Sequence, residues 1–184
     1  MAEVFDILDE NGKYTGRVAE RDVAHQNGLW HRAVVVFLIN DKNQVLLQRR
    51  SATKKFWPNM LDVSVGGHCD AGEFGFEAAI REAAEELGVK IEREQMVFLG
   101  STRSQVVKKD AVDNMYNEFY VACVNVDPRT LRLQTEEVSE VKMVTLDELK
   151  RMMNDGYQEL TPKAESYEFL VRYMTKKQQS DSGL

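Results

Sequence analysis

Three glutamates spaced three and four residues apart, Glu82, Glu85 and Glu86, carry the strongest chemical signal in the chain. They belong to the run Gly67-His-Cys-Asp-Ala-Gly-Glu73-Phe-Gly-Phe-Glu-Ala-Ala-Ile-Arg81-Glu82-Ala-Ala-Glu85-Glu86-Leu-Gly88-Val89. On a helix this spacing brings the three carboxylates to one face. Adjacent anions repel one another, and a hard divalent cation with oxygen ligands relieves the repulsion. Arg81 stands four residues from both Glu77 and Glu85 and is expected to bridge them, bracing the cluster from beside the metal face. The pair Gly66-Gly67 offers an unobstructed backbone carbonyl as a further ligand, assigned to Gly67.

The helix that positions these groups is predicted over residues 74–87. Phe76, Ile80, Ala83 and Leu87 form one apolar stripe, and the carboxylate face is expected to point largely away from it. Gly88 is a natural terminator. Upstream, a hairpin is predicted from residues 3–8 and 14–18 around Asp9-Glu-Asn-Gly12, then a short helix near 21–26. Strands follow at 33–39 and 45–48, then a basic loop over 49–59 and a strand near 61–65. Downstream, strands lie within 96–107 and 117–125. Thr145-Leu-Asp-Glu148 is a capping box that opens a helix ending near Gly156. Thr161-Pro162 starts a last helix to about Lys177. A single domain over residues 1–178 is expected, with 1–30 as an N-terminal hairpin and short helix and 179–184 as a flexible tail. Strands interleaved with a few helices give the α/β (α+β) class.

Composition narrows the partners. The 184 residues carry 24 Lys+Arg against 30 Asp+Glu, a formal charge of −6 that argues against non-specific nucleic-acid binding. No apolar run approaches the ~20 residues that span a bilayer, so no membrane partner is expected. Met-Ala-Glu-Val-Phe-Asp at the start lacks the features of a signal peptide, and Cys69 and Cys123 form no metal-type pair. A cytoplasmic protein is the expectation. Oligomeric state is not readable, and a homodimer is left open.

The glutamate run resembles the Nudix box, G-x5-E-x7-R-E-U-x-E-E-x-G-U, over 67–89, with Ala83 and Val89 at the apolar U positions. The seven fixed letters match by chance on the order of once in 10⁸ starting positions. The resemblance implies a Nudix-type α/β/α sandwich, a mixed β-sheet between helices, with the box as loop–helix–loop. It also implies Mg²⁺- or Mn²⁺-dependent hydrolysis of a small-molecule diphosphate. Glu82 and Glu86 are then the direct ligands, Glu85 a ligand or water-holder, and Glu73 a metal-site residue with an orienting role. Glu118, on a predicted strand, is the candidate acid outside the box, as ligand or general base.

A second resemblance runs from about Val4 to Cys123. Gln48-Arg-Arg-Ser-Ala-Thr-Lys-Lys-Phe-Trp-Pro-Asn59 and Ser64-Val-Gly-Gly-His68 are similar to isopentenyl diphosphate isomerase, itself of Nudix fold. Its histidine-based metal site implies a second site here at His25, His31 and His68. Glu118 matches one acid of that enzyme's later site, and Arg50 with Lys54 or Lys55 its basic diphosphate contacts. Arg49, Arg50, Lys54 and Lys55 are accordingly candidates for binding substrate phosphate. The departures favour hydrolysis. Gly66 stands where the isomerase has its catalytic cysteine, Tyr116 replaces a partner glutamate, and the box here is intact. Cys69, three residues along an extended strand from Gly66, is expected on the opposite face. The expected function is metal-dependent cleavage of a diphosphate linkage in a nucleoside diphosphate derivative or other small organic diphosphate. The alternatives are an isomerase and a non-catalytic diphosphate-binding module.

Overall fold

A computed structural model of the chain describes residues 3–54, 56–107, 111–156 and 158–181. The N-terminal hairpin pairs β1 (Val4–Leu8) with β2 (Tyr14–Glu20), and Asp9 makes the turn by accepting the Asn11 and Lys13 amides. Helix α1 (Arg21–Gln26) leads into β3 (Trp30–Ile39), which is followed by β4 (Gln44–Arg50). The strand expected near 61–65 divides in two, β5 (Leu61–Asp62) pairing with β4 and β6 (Val65–His68) pairing with β3. Ser64 is the reason. Its buried hydroxyl accepts the Leu38 amide of β3 and donates to the Leu46 carbonyl of β4, bridging the two strands where the chain passes between them.

The box helix α2 (Gly75–Leu87) ends at Gly88, whose φ of 68° is the left-handed terminating conformation. The long strands β7 (Met96–Val107) and β8 (Val112–Cys123) follow, the second running parallel to β3 over its whole length. A strand absent from the sequence reading, β9 (Val138–Thr145), lies antiparallel to β4. A register shift opposite Arg49 and Arg50 breaks its two-residue alternation, which hides it from a periodicity test. The predicted capping box opens α3 (Leu146–Asn154), with Thr145 and Glu148 bonded reciprocally. Helix α4 (Ala164–Asp181) runs past Lys177, so residues 179–181, expected as part of the flexible tail, are helical.

The described strands form one mixed sheet. On one face, Val34, Val36 and Leu38 of β3 pack with Ala78, Ala79, Ala83 and Leu87 of α2. On the other, Val35, Phe37 and Ile39 pack with Leu146 and Leu149 of α3 and Tyr167, Leu170 and Met174 of α4. This is the expected α/β/α sandwich. Among the described residues, no helix is long and apolar enough to cross a membrane.

Candidate active site

Register decides what faces α2. Val34 pairs with Gly67 of β6 on one side and Glu118 of β8 on the other, so all three point to the helix. The helix meets them with Gly75, Ala78, Ala79 and Ala83, whose small side chains let it sit close. A Cβ on Gly67 would stand 2.1 Å from Glu82 Oε1, and one on Gly75 would stand 1.9 Å from Glu118 Oε2. These two glycines make room for carboxylates between helix and sheet. The expectation that the acidic face turns away from the apolar one is therefore corrected. Glu86 is only 5% exposed and accepts a 3.0 Å hydrogen bond from Gln48 Nε2 of β4, while Glu85 is the outward member.

Arg81 braces this arrangement, but not by the predicted bridge from Glu77 to Glu85. Its Nε and Nη2 donate to the two oxygens of Glu73 at 3.0 and 2.9 Å, a forked pair. Nη1 donates to Glu82 at 2.9 Å and to Glu85 at 3.3 Å, and Nη2 also reaches the His68 carbonyl at 2.8 Å. Glu77 instead accepts the Phe74 amide at the start of α2. Glu73 is held doubly, since it also accepts the Asp70 amide.

The electrostatics are those of buried carboxyls that repel one another. Burial pushes the Glu86 carboxyl up to about 8, and Glu82 and Glu137 add to the effect. Burial raises Glu82 to about 6 against the pull of Arg81. Glu137 is an acid that sequence reading missed, because it lies in a loop with no motif around it. That loop is tied to the end of α2 by Gln134 N–H to the Glu86 carbonyl and Arg132 N–H to the Leu87 carbonyl. Oxygen donors converging on buried, mutually repelling carboxyls fit a hard divalent cation.

The remaining candidates are dispersed. Glu118 lies beneath the first turn of α2, accepting the Tyr120 hydroxyl at 2.6 Å, about two turns ahead of Glu82. Of the basic loop, Arg49 pairs with Glu140. Arg50 and Lys163 both pair with Asp62, and against the cost of full burial these cations hold its carboxyl below the usual range. Lys54 pairs with Glu137 beside Glu86, and Lys55 lies outside the described residues. Gly66 pairs with Val35 on the α3–α4 side, whereas Cys69 is buried under α2 with its thiol pushed up to about 12 by burial. The opposite-face expectation for Cys69 agrees with this placement. His25, His31 and His68 do come together, joined by Asp113, on the face of the sheet away from α2.

Comparison with known proteins agrees with this fold. The family model described as NUDIX domain matches residues 29–164. A Nudix hydrolase of Listeria monocytogenes is 32% identical over 154 residues, covering 84% of this chain and 86% of that one. Nudix hydrolase 3 of Arabidopsis thaliana is 34% identical over 157 residues, and the match covers 83% of this chain but only 20% of that longer protein. Isopentenyl-diphosphate Delta-isomerase of Streptomyces avermitilis is 34% identical over 151 residues, covering 80% of this chain and 74% of the isomerase. The crystal structure of DR0079 from Deinococcus radiodurans superposes with a TM-score of 0.69 at 28% identity, over 94% of this chain and 99% of that one. With the complete box folded as a loop, a helix and a loop against the sheet, the chain belongs to the Nudix hydrolase family.

Proposed function

We propose that the protein cleaves a diphosphate linkage in a nucleoside diphosphate derivative or another small organic diphosphate, using Mg²⁺ or Mn²⁺ at the α2 carboxylates. The observation that carries this reading is Glu86, only 5% exposed under α2 beside Glu82, where burial and the neighbouring carboxyl push it up to about 8 and a divalent cation would be accommodated by both acids. Glu82 and Glu86 are assigned as ligands, with Glu85 and the Gly67 carbonyl at the open rim. A divalent ion held by these residues would supply charge neutralisation for the phosphoryl oxygens and an activated water. Arg81 fixes the Glu82 carboxylate from the side, and Glu73 fixes Arg81. Glu85 is the outward, solvent-reaching acid suited to take a proton from the attacking water; Glu118 is the alternative acceptor. Among the described residues, Lys54 is the basic-loop cation that acts on Glu86, and it is assigned to the substrate phosphate, where it would exchange Glu137 for the diphosphate.

The isomerase reading lacks an acid–base partner at Gly66, and Cys69 cannot supply one from the opposite face. A panel of nucleotide and isoprenoid diphosphates with Mg²⁺ or Mn²⁺, scored for phosphate release, tests the proposal. Metal-dependent release from at least one is expected. Conversion of isopentenyl to dimethylallyl diphosphate without hydrolysis would overturn it.

A further inference from the structure

A cavity of about 330 Å³ opens where the N-terminal hairpin meets the loop before α2. Strand alternation sets its walls. Phe5 and Ile7 of β1 turn to the histidine face of the sheet, so Asp6 and Leu8 turn to the α2 face. Tyr14, paired with Leu8 across the hairpin, points the same way. On β3, Arg32 lies two residues before Val34, which packs under α2, and shares its face. Phe74 closes the cavity from the loop. That loop is tied to β1 by the Ala71 amide, which donates to the Val4 carbonyl, and by the Gly72 amide, which donates to Asp6 Oδ2.

Two features of this cavity serve no evident purpose in folding. Tyr14 and Phe74 leave 58% and 62% of their surface exposed at its rim. Deeper in, Asp6 and Arg32 stand side by side without closing into a tight pair. Arg32 Nη2 donates to the Glu73 carbonyl at 2.8 Å but stands 3.5 Å from Asp6 Oδ2, against the roughly 2.7–2.9 Å of a charge-assisted bond. Its Nε is buried with no hydrogen-bond partner among the described residues, a donor left over that folding alone would not select. Flat rings at the rim, with an acceptor beside a donor below them, suit a planar heterocycle. Its face stacks on the aromatics, and its edge offers a donor next to an acceptor.

We propose that this cavity holds the nucleobase of a nucleoside diphosphate substrate, stacked on Tyr14 and Phe74 and read at its edge by Asp6 and Arg32. The inference rests on the hydrolase reading above and narrows it from small organic diphosphates to nucleotides. Two rulers put the cavity within reach of the carboxylates. Along α2, Phe74 lies eight residues before Glu82, about 12 Å of helix. Along β1, Asp6 lies three residues, about 10 Å, beyond Glu3. Glu3 in turn is close enough to Glu82 to add to the upward push of burial on its carboxyl. A ribose and its diphosphate bridge such a gap between base and metal. An isoprenoid chain in the same place would strip water from the Asp6 carboxylate and the Arg32 guanidinium and return no hydrogen bond to either. Asp6, Leu8, Tyr14 and Arg32 all lie outside the box, which acts on the diphosphate and leaves the choice of substrate to other parts of the chain.

The test separates binding from turnover. The full chain in EDTA is titrated calorimetrically with the monophosphates of adenosine, cytidine, guanosine and uridine, and with dimethylallyl monophosphate. At least one nucleotide should bind about tenfold or more tightly than the isoprenoid, and the four arms identify the base. Tyr14→Ala should weaken that binding about tenfold while Tm stays near that of wild type, because the ring is largely exposed. Asp6→Asn keeps an oxygen for the Gly72 amide but turns a donor toward the base, so affinity for the preferred base should fall about tenfold and the order of the four should change. A merely structural Asp6 would lower Tm and leave that order intact. Absence of nucleotide binding at millimolar concentration, equal binding of the isoprenoid, or full affinity in both variants would each overturn the proposal. Failure of every diphosphate to release phosphate with Mg²⁺ or Mn²⁺ would instead sink the hydrolase reading, and the metal-free titration would still decide the cavity.

Discussion

Replacing Glu86 by glutamine should make the metal-free protein more stable and the enzyme inactive, two opposite effects from one atom. In the folded chain the Glu86 carboxyl titrates near 8, against 4.5 when unfolded, because it is buried beside Glu82 and Glu137. The folded-state value is the raised one, so the contribution of Glu86 to stability is fully present below pH 4.5. That contribution is lost as pH rises from about 4.5 to 8 and changes no further above that. At pH 7 the unfolded chain has released a proton that the folded chain keeps. About 2.5 units separate that pH from the unfolded value, and at 1.36 kcal/mol each the difference is about 3 kcal/mol. Glutamine carries no such penalty and still accepts the Gln48 amide through its carbonyl. For a chain of this length the gain corresponds to a rise in Tm of about 6–12 °C. Thermal unfolding in EDTA at pH 4.5 and pH 7.5 should show wild type and Glu86→Gln nearly equal at the lower pH and separated at the higher. Saturating Mg²⁺ should then stabilise wild type only, and metal-dependent phosphate release by the variant should vanish. An equal Tm difference at both pH values would refute the electrostatic argument, and retained turnover would refute the metal assignment.

Other substitutions separate the roles of neighbouring groups. Arg81→Lys keeps the charge but not the fork to Glu73 and the reach to Glu82, and should lower kcat by about 10–100-fold with a smaller change in Tm; kcat within twofold of wild type would contradict the bracing role. Gly67→Ala places a methyl against Glu82 Oε1 on a backbone that does not need glycine for its φ, so turnover should fall about 10²-fold while circular dichroism stays native. Arg50→Met leaves Asp62 buried with Lys163 as its remaining cation and should cost about 2 kcal/mol, read as a drop in Tm with KM unchanged. A raised KM at unchanged Tm would instead make Arg50 a phosphate contact. Because Mg²⁺ must displace the Glu86 proton, its affinity measured by calorimetry should rise from pH 6 to pH 8 with proton release, and a flat profile would exclude Glu86 as a ligand.

What could be read from the chain, and what could not, divides by the range of the interaction. Glu82, Glu85 and Glu86 are near neighbours on one helix, and Gly88 ends that helix with its own φ, so local spacing sufficed for both. The direction in which the acidic face turns depends on Gly67 and Gly75 admitting carboxylates under a helix of alanines, which is a property of two surfaces meeting. The basic loop shows the same limit. Four cations in seven residues suggest a phosphate site, yet Arg49 and Arg50 take partners on β9 and β5, one of them on a strand whose alternation is broken and which the sequence hides.

The histidines mark the limit most sharply. Their placement was legible by resemblance, but their fourth partner was not, because Asp113 reaches them only through the parallel register of β8 on β3. That register also sends Glu118, five residues on, to the opposite face: an odd offset along a strand reverses the side chain. His68 then links the two faces. Its ring joins Asp113 behind the sheet, while its carbonyl accepts Arg81, the residue that holds Glu73 and Glu82 in front. One residue on β6 therefore carries a strut of the carboxylate site on its backbone and a contact to Asp113 in the histidine cluster on its side chain. A shift of β6 by one residue would break up the carboxylate site and the histidine cluster together, so the register of the short run Gly66-Gly67-His68 is the constraint they share.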